Sequence, residues 1–291
     1  MDINRANLDS LYTGFTTKLQ EGFGMAPRPF ERFGMTVASS TSMETYGWLM
    51  LLSRMRKWAG DRIVQNVESE LMTLVNEDYE HTVGVSRNDI EDDKLGIYGP
   101  LFQQLGADAA ALWDRLALLA LVGNGLWLDG AAFFGTTRKY GGNTISNYAT
   151  GALTETTFNT AYQTMMEYVG ANDEALGVVP DLLVVGPKNR TVAHGIVNQG
   201  PGASSANPNA GVVDVLVHPR LVGTYDDYWF LLETKGPVKP VAVQKRKEGA
   251  LVRWDRDTDE CVKVHNRNDY GVHYRGVAGL TLPHKAYGVI L

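Results

Sequence analysis

An α+β fold is predicted for this chain, on three observations. A long amphipathic helix occupies the middle of the first half, around Leu101–Val122. Segments of strand character precede it, and others crowd the chain after residue 212. No internal repeat organises them, so the strands and helices belong to mixed layers rather than to a solenoid.

Taken in order, residues 1–36 read as an arm. Leu11, Phe15 and Leu19 recur at spacing four and predict a short helix over Asp9–Gln20. Gly22, Gly24, Pro27, Pro29 and Gly34 are then expected to break regular structure. Phe23, Met25, Phe30 and Phe33 need a surface to cover them, supplied by this subunit or by a neighbour.

A projecting hairpin is predicted over 55–88. Tyr79, His81, Val83 and Val85 alternate with Glu80, Thr82, Gly84 and Ser86, giving a returning strand of period two. The outgoing strand is read over Asp61–Met72, with the turn near Asn76–Asp78. An isolated two-stranded ribbon is marginal in water, so something outside the chain's own core must support it.

Asn88 with Glu91 predicts a capping box for a helix opening near Asp89. Pro100 interrupts that helix and can open a renewed one. Leu101, Leu105, Ala109, Leu112, Leu116 and Leu119 then form one stripe, widened by Phe102, Trp113 and Val122. At about 1.5 Å per residue the stripe makes a rod of roughly 33 Å, ended by Gly123-Asn124-Gly125. Residues 126–151 are loop-like. Thr154 caps a second helix carrying Phe158, Ala161, Tyr162, Met165 and Val169 on one face. Leu182–Val185 reads as a buried strand and Asn189–Val197 as a small helix. After a loop at Gly200–Gly211, strands are predicted at Val212–Val217, Tyr228–Leu232, Val241–Lys245, Ala250–Trp254, Glu260–His265 and Val272–Leu282.

Composition narrows function by exclusion. The 291 residues carry a net charge of -6 and 44% hydrophobic residues, enough for a sizeable core. That balance argues against a surface that grips nucleic acid throughout. Cys261 is the single cysteine, so neither an internal disulfide nor a cysteine zinc site is available. No apolar run approaches the roughly 20 residues that span a bilayer. No secretory signal is read at Met1–Arg5, and the cytoplasm of the producing cell is the expected compartment.

The segments Glu44–Leu49, Met55–Arg62, Tyr79–Val83 and Arg87–Tyr98 resemble the N-terminal third of Mu-like phage major head subunits. Leu128-Asp129-Gly130-Ala131-Ala132-Phe133-Phe134 is similar to that family's Asp-Gly-x-x-Phe-Phe element after the long helix. The C-terminal part, from Tyr270 to Tyr287, is similar in character. The resemblance implies the Hong Kong 97-type capsid fold. Its parts would be an N-terminal arm (1–36), an extended hairpin loop (55–88), a peripheral domain and an axial domain (152–234). The peripheral domain would comprise 37–54, 89–151 and 235–291, with a spine helix at about 89–123 and a last strand free to return to the axial domain. Function would then be self-assembly into pentamers and hexamers of an icosahedral shell around double-stranded DNA. Portal and scaffold proteins, and a decoration protein, are the partners the family implies. The virion is the implied location. The expected subunit-interface residues are Arg56, Trp58, Arg62, Glu68, Glu70, Tyr79 and His81 on the hairpin and Glu91, Asp92 and Asp93 beyond it. Deleting Asn66–Glu80 is expected to leave a folded protein that cannot assemble.

Patterns of catalysis are sparse. Gly123-Asn124-Gly125 lacks the third glycine of a dinucleotide fingerprint, and Gly200–Gly211 lacks a phosphate-loop ending. His81, His194, His218, His265, His273 and His284 are scattered, and no catalytic, cofactor or metal residue is assigned. His265 and His273 would share a strand face, too far apart for one metal. The acids Asp89, Glu91, Asp92 and Asp93 fit a helix's first turn better than a cation site. Two basic clusters, Arg54–Arg62 and Lys245–Arg256, fit intersubunit ion pairs better than DNA. An encapsulin-like compartment shell and a carboxylate metal enzyme are the alternative readings, separated by cargo co-purification and by stoichiometric metal binding.

Overall fold

The computed structural model describes residues 2–47, 71–92, 95–140, 143–170, 174–198 and 207–290. The first helix, α1 (Arg5–Met25), starts where the Asn4 side chain accepts from the Asn7 amide at 2.9 Å. It is longer at both ends than the expected Asp9–Gln20. Gly22 does not break it, because this glycine is a contact point. A Cβ at Gly22 would lie 1.8 Å from the Gln103 carbonyl oxygen, and one at Gly106 would lie 2.0 Å from that of Leu19. The two backbones therefore meet where side chains are missing. Leu8, Phe15 and Leu19 are buried on the same face, as are Phe30 within a 3-10 turn at Pro29–Arg32 and Phe33 just after it. The chain's own body covers these arm residues.

Strands β1 (Gly34–Ala38), β2 (Met43–Gly47), β3 (Leu71–Val75) and β4 (Glu77–Ser86) follow. Here the expected hairpin needs correction. β3 pairs antiparallel with β2, Gly47 opposite Leu71, whereas β4 pairs with β13 (Arg267–Leu280) over ten residues. The ribbon's described arms are thus 43–47 and 71–75. The alternation in β4 is real, with Val85 fully buried and Val83 and Tyr79 partly so. It marks a strand of the main sheet and not a projecting arm. The predicted outgoing strand lies outside the described residues but for its last two, Leu71 and Met72, which belong to β3.

The long helix also starts later than expected. α2 (Arg87–Glu91) is a single turn capped at Ser86, with no side-chain cap from Asn88, and α3 spans Tyr98–Gly123. A continuous helix would set the Pro100 ring against the carbonyl of Gly96; Pro100 instead sits in the first turn of α3, where its missing N–H costs nothing. Asn124 in the left-handed conformation (φ 43°) ends the helix. Leu101 and Leu119, assigned to the buried stripe, are exposed. The buried surface is wider and rotated because α3 is covered on two sides. Phe102 stacks on Phe15 of α1 at 4.0 Å and meets Tyr270 edge-on at 5.6 Å, while Trp113 meets Tyr274 at 6.1 Å.

Beyond α3 come the short strands β5 (Arg138–Tyr140), β6 (Asn143–Ile145) and β7 (Tyr148–Ala149), then α4 (Glu155–Met166). Thr154 and Thr157 form the capping box of α4. β8 (Leu182–Val185), α5 (Arg190–Val197), β9 (Asp214–Val217) and β10 (Trp229–Leu232) build a second layer. β11 (Val241–Lys247) and β12 (Leu251–Trp254) return to the first. Glu260–His265, expected as a strand, is a helix, α6, set between Asp259 and a left-handed Asn266. Cys261 is buried in that helix, and His265 shares no strand face with His273 of β13.

The first sheet runs β1-β11-β13-β12, with β4 on the opposite edge of β13. The second runs β7-β14-β10-β8-β9, where β14 is Ala286–Val289. Its central strands β8, β10 and β14 are buried at every position, as in strands covered on both faces. The chain's last strand therefore joins the second sheet. Phe133 and Phe134 fasten the loop after α3 to that sheet: Phe134 lies 5.6 Å from Phe230 and fills the space a side chain at Gly288 would need.

Candidate subunit interface

Arg56, Trp58, Arg62, Glu68, Glu70 and Asp93 lie outside the described residues. The structure brings Tyr79 and His81 together on β4. They line a cleft of about 500 Å³ between β4, β13 and the flank of α3. Leu112, Val272 and Tyr274 supply its apolar wall, and Asp78, Glu80, Asp108, Arg115 and Arg220 its charges. Tyr79 donates to Glu77 Oε2 at 2.7 Å, and partial burial, then that bond, push its hydroxyl well above the ordinary tyrosine range. His81 is exposed and stands opposite Val272. Asp78 accepts from His273 Nε2 at 3.0 Å and lies 3.5 Å from Arg275 Nε. The cleft can take both signs of charge around an apolar strip, which is the chemistry of a protein contact.

Glu91 and Asp92 are exposed at the end of α2 and do not line that cleft. Asp89, in the first turn, accepts from the Tyr98 hydroxyl at 2.6 Å, tying α2 to α3. Among the described residues no three His, Cys, Asp or Glu converge as metal ligands. Also among them, no helix is long and apolar enough to cross a membrane.

Sequence reasoning missed Asp108, Arg115 and Arg220. The first two recur seven apart on the polar flank of α3, a signal that was present; Arg220 arrives from beyond β9 and has no local signal. A second groove of about 470 Å³ was missed as well. It lies between Met72 and Leu74 of β3 and the exposed Leu119 and Leu126 at the end of α3. The basic cluster at 245–256 is largely used within the subunit. Lys245 pairs with Glu248 at 2.6 Å and covers the Trp113 ring, and Arg253 pairs with Asp9 at 2.7 Å.

The profile of the family described as Mu-like prophage major head subunit gpT matches residues 8–151, 140–221 and 220–290. The chain belongs to this family. The Haemophilus influenzae (strain ATCC 51907 / DSM 11121 / KW20 / Rd) Mu-like prophage FluMu major head subunit is 26% identical to it over 96% of this chain and 72% of that protein. The major capsid protein of Escherichia phage Mu is 38% identical over 46% of this chain, a match that spans only 45% of the Mu protein. Among solved structures, the procapsid of bacteriophage JBD30 is similar at 26% identity and a TM-score of 0.62, covering 99% of this chain and 76% of that one. The head-subunit fold is thus that of phage capsid proteins, as the Hong Kong 97-type resemblance implied. The family is a structural one, and the cleft on β4 is read in that light.

Proposed function

We propose that many copies of this head subunit associate into a closed icosahedral shell enclosing the double-stranded DNA of a Mu-like phage or prophage. The observation that carries this reading is a family match running the length of the chain, laid on one long helix that joins two sheets. The second sheet with α4 and α5 is the axial domain, gathered into rings of five and six. The first sheet with α1 and α3 is the peripheral domain, and the ribbon of β2 and β3 is the base of the extended loop. The mixed-charge cleft at Tyr79 and His81 is then a surface for a neighbouring copy. Closed symmetry lets many modest contacts of this kind sum to a durable shell.

The role is structural and not catalytic. Shell assembly takes place in the host bacterial cytoplasm, with portal, scaffold and decoration proteins as partners. The internally paired basic residues near β11 and β12 support a shell that encloses DNA without gripping it. Electron microscopy with sedimentation of the purified chain, alone and with its scaffold, tests this. Shells, tubes or rings are expected; a strict monomer under both conditions overturns it.

A further inference from the structure

The first half of α1 roofs a patch of polar side chains that it does not satisfy. On one face of the first sheet, Arg253 of β12 stands opposite Tyr270 of β13, with Asn268 two residues away on β13 and Asp255 just past the end of β12. Tyr270 and Asn268 are 0% exposed and Asp255 3%. Among the described residues, both polar atoms of the Asn268 amide and the Tyr270 hydroxyl have no well-formed hydrogen bond, and Arg253 Nη1 and Asp255 Oδ2 have only each other, 3.6 Å apart. Burial first, then the nearby Asp255 charge, pushes the Tyr270 hydroxyl up to about 12, as expected for a phenol held away from water. Orphaned polar atoms in so small a volume disfavour the closed arrangement.

What holds the roof down differs along its length. The front is fastened by charge at its margin: Arg5 to Asp255 at 2.9 Å, Asp9 to Arg253 at 2.7 Å, and Tyr12 donating to the Leu251 carbonyl at 2.6 Å. Behind it, the helix is fastened by shape, with Phe15 on Phe102 and Gly22 against the backbone of Gln103.

We propose that Arg5–Tyr12 is a strap that lifts from β12 and β13 while the rear of α1 stays clamped on α3. Lifting hydrates the orphaned groups at the cost of uncovering Leu8, and it breaks ion pairs whose α1 partners, Arg5 and Asp9, are half exposed, so ionic strength modulates its opening. This conformational device goes beyond shell formation and holds for the unassembled subunit.

Hydrogen exchange on the full-length subunit tests it. Amides 5–12 are expected to exchange at least about tenfold faster than those of 15–22 in the same helix, as a local opening. Raising salt to about 1 M, where the screening length is about 3 Å, is expected to speed the first set alone. Tyr270→Phe removes an orphaned hydroxyl and keeps the ring, so it is expected to slow exchange at 5–12. Arg5→Gln, on an exposed side chain, is expected to speed it without touching 15–22. Ordinary end fraying would be indifferent to both salt and Tyr270→Phe. Uniform exchange along α1, or faster exchange at 5–12 in Tyr270→Phe, overturns the proposal.

Discussion

Asp114 is an acid in the middle of an otherwise apolar stretch of α3, and it is buried because three segments bring it donors. Its Oδ1 accepts from the Phe30 amide at 3.1 Å and from His218 Nε2 at 3.2 Å, and Arg220 Nε lies 3.7 Å from Oδ2. The arm, the long helix and the segment leaving β9 thus meet on one carboxylate. Asp114→Leu leaves the Phe30 amide and His218 Nε2 buried without an acceptor and is expected to cost about 3–5 kcal/mol. Asp114→Asn keeps one acceptor oxygen and is expected to cost about half as much. Denaturant unfolding measures both, and equal losses would refute the shared-acceptor account. His284 carries a different signature. Burial, with help from the adjacent Lys285 charge, lowers its pKa from 6.5 to about 3. The unfolded chain therefore takes up a proton that the folded chain refuses. The stability this group contributes is complete above pH 6.5 and is lost as pH falls from there toward 3. The loss is on the order of 5 kcal/mol once pH has fallen below that window. A His284→Gln variant is expected to flatten that part of the pH–stability curve; an unchanged slope would assign the acid sensitivity elsewhere.

Elements were legible where local pattern decides them and illegible where the partner is remote. β8, α4 and α5 were read close to their true bounds because an apolar run, a Thr cap and a 3.6-residue period are local signals. The alternation of β4 identified its face but could not name its neighbour, since β13 lies some 190 residues further on. Glu260–His265 misled because Val262 and Val264 alternate with polar residues over six positions, too few to separate the two periods. Asp259 before it and Asn266 after it were the better signal. Gly22 and Gly106 show the same limit: Gly22 was read as a breaker and Gly106 carried no local signal, and only packing makes them the crossing point of α1 and α3. Gly106→Ala would place a methyl against the Leu19 backbone and is expected to cost about 2–3 kcal/mol and to loosen α1 first. Thermal unfolding with near-ultraviolet circular dichroism would detect this, and a variant as stable as the parent would mean that the helices have room to part.

At the scale of the molecule, the α+β fold class was readable from sequence, but the residues of the candidate interface only in fragments. Alternation placed Tyr79 and His81 on one strand face, while the charges opposite them on α3 and at Arg220 come together only in the fold. The assembly test follows from the corrected pairing. Removing Asn66–Glu80, as the sequence alone suggested, would take out β3 and the buried Leu74 and Asn76. It would also remove the first four pairs that β4 makes with β13, so a failure to assemble would report a damaged sheet. Gly47 stands opposite Leu71 at the open end of the ribbon, which makes that pair the right place to cut. Replacing residues 48–70 by Asn-Gly, a two-residue hairpin turn, closes the ribbon and spares every described strand. The shortened subunit is expected to unfold at a temperature near the parent's, because no core residue among those described is lost. It is also expected to form no shells by electron microscopy under conditions where the parent does. Parent-like shells would remove the extended loop from assembly and leave the cleft at Tyr79 and the groove at Leu119 to carry the contacts between copies. A subunit that neither folds nor assembles would instead place 48–70 within the folding unit itself.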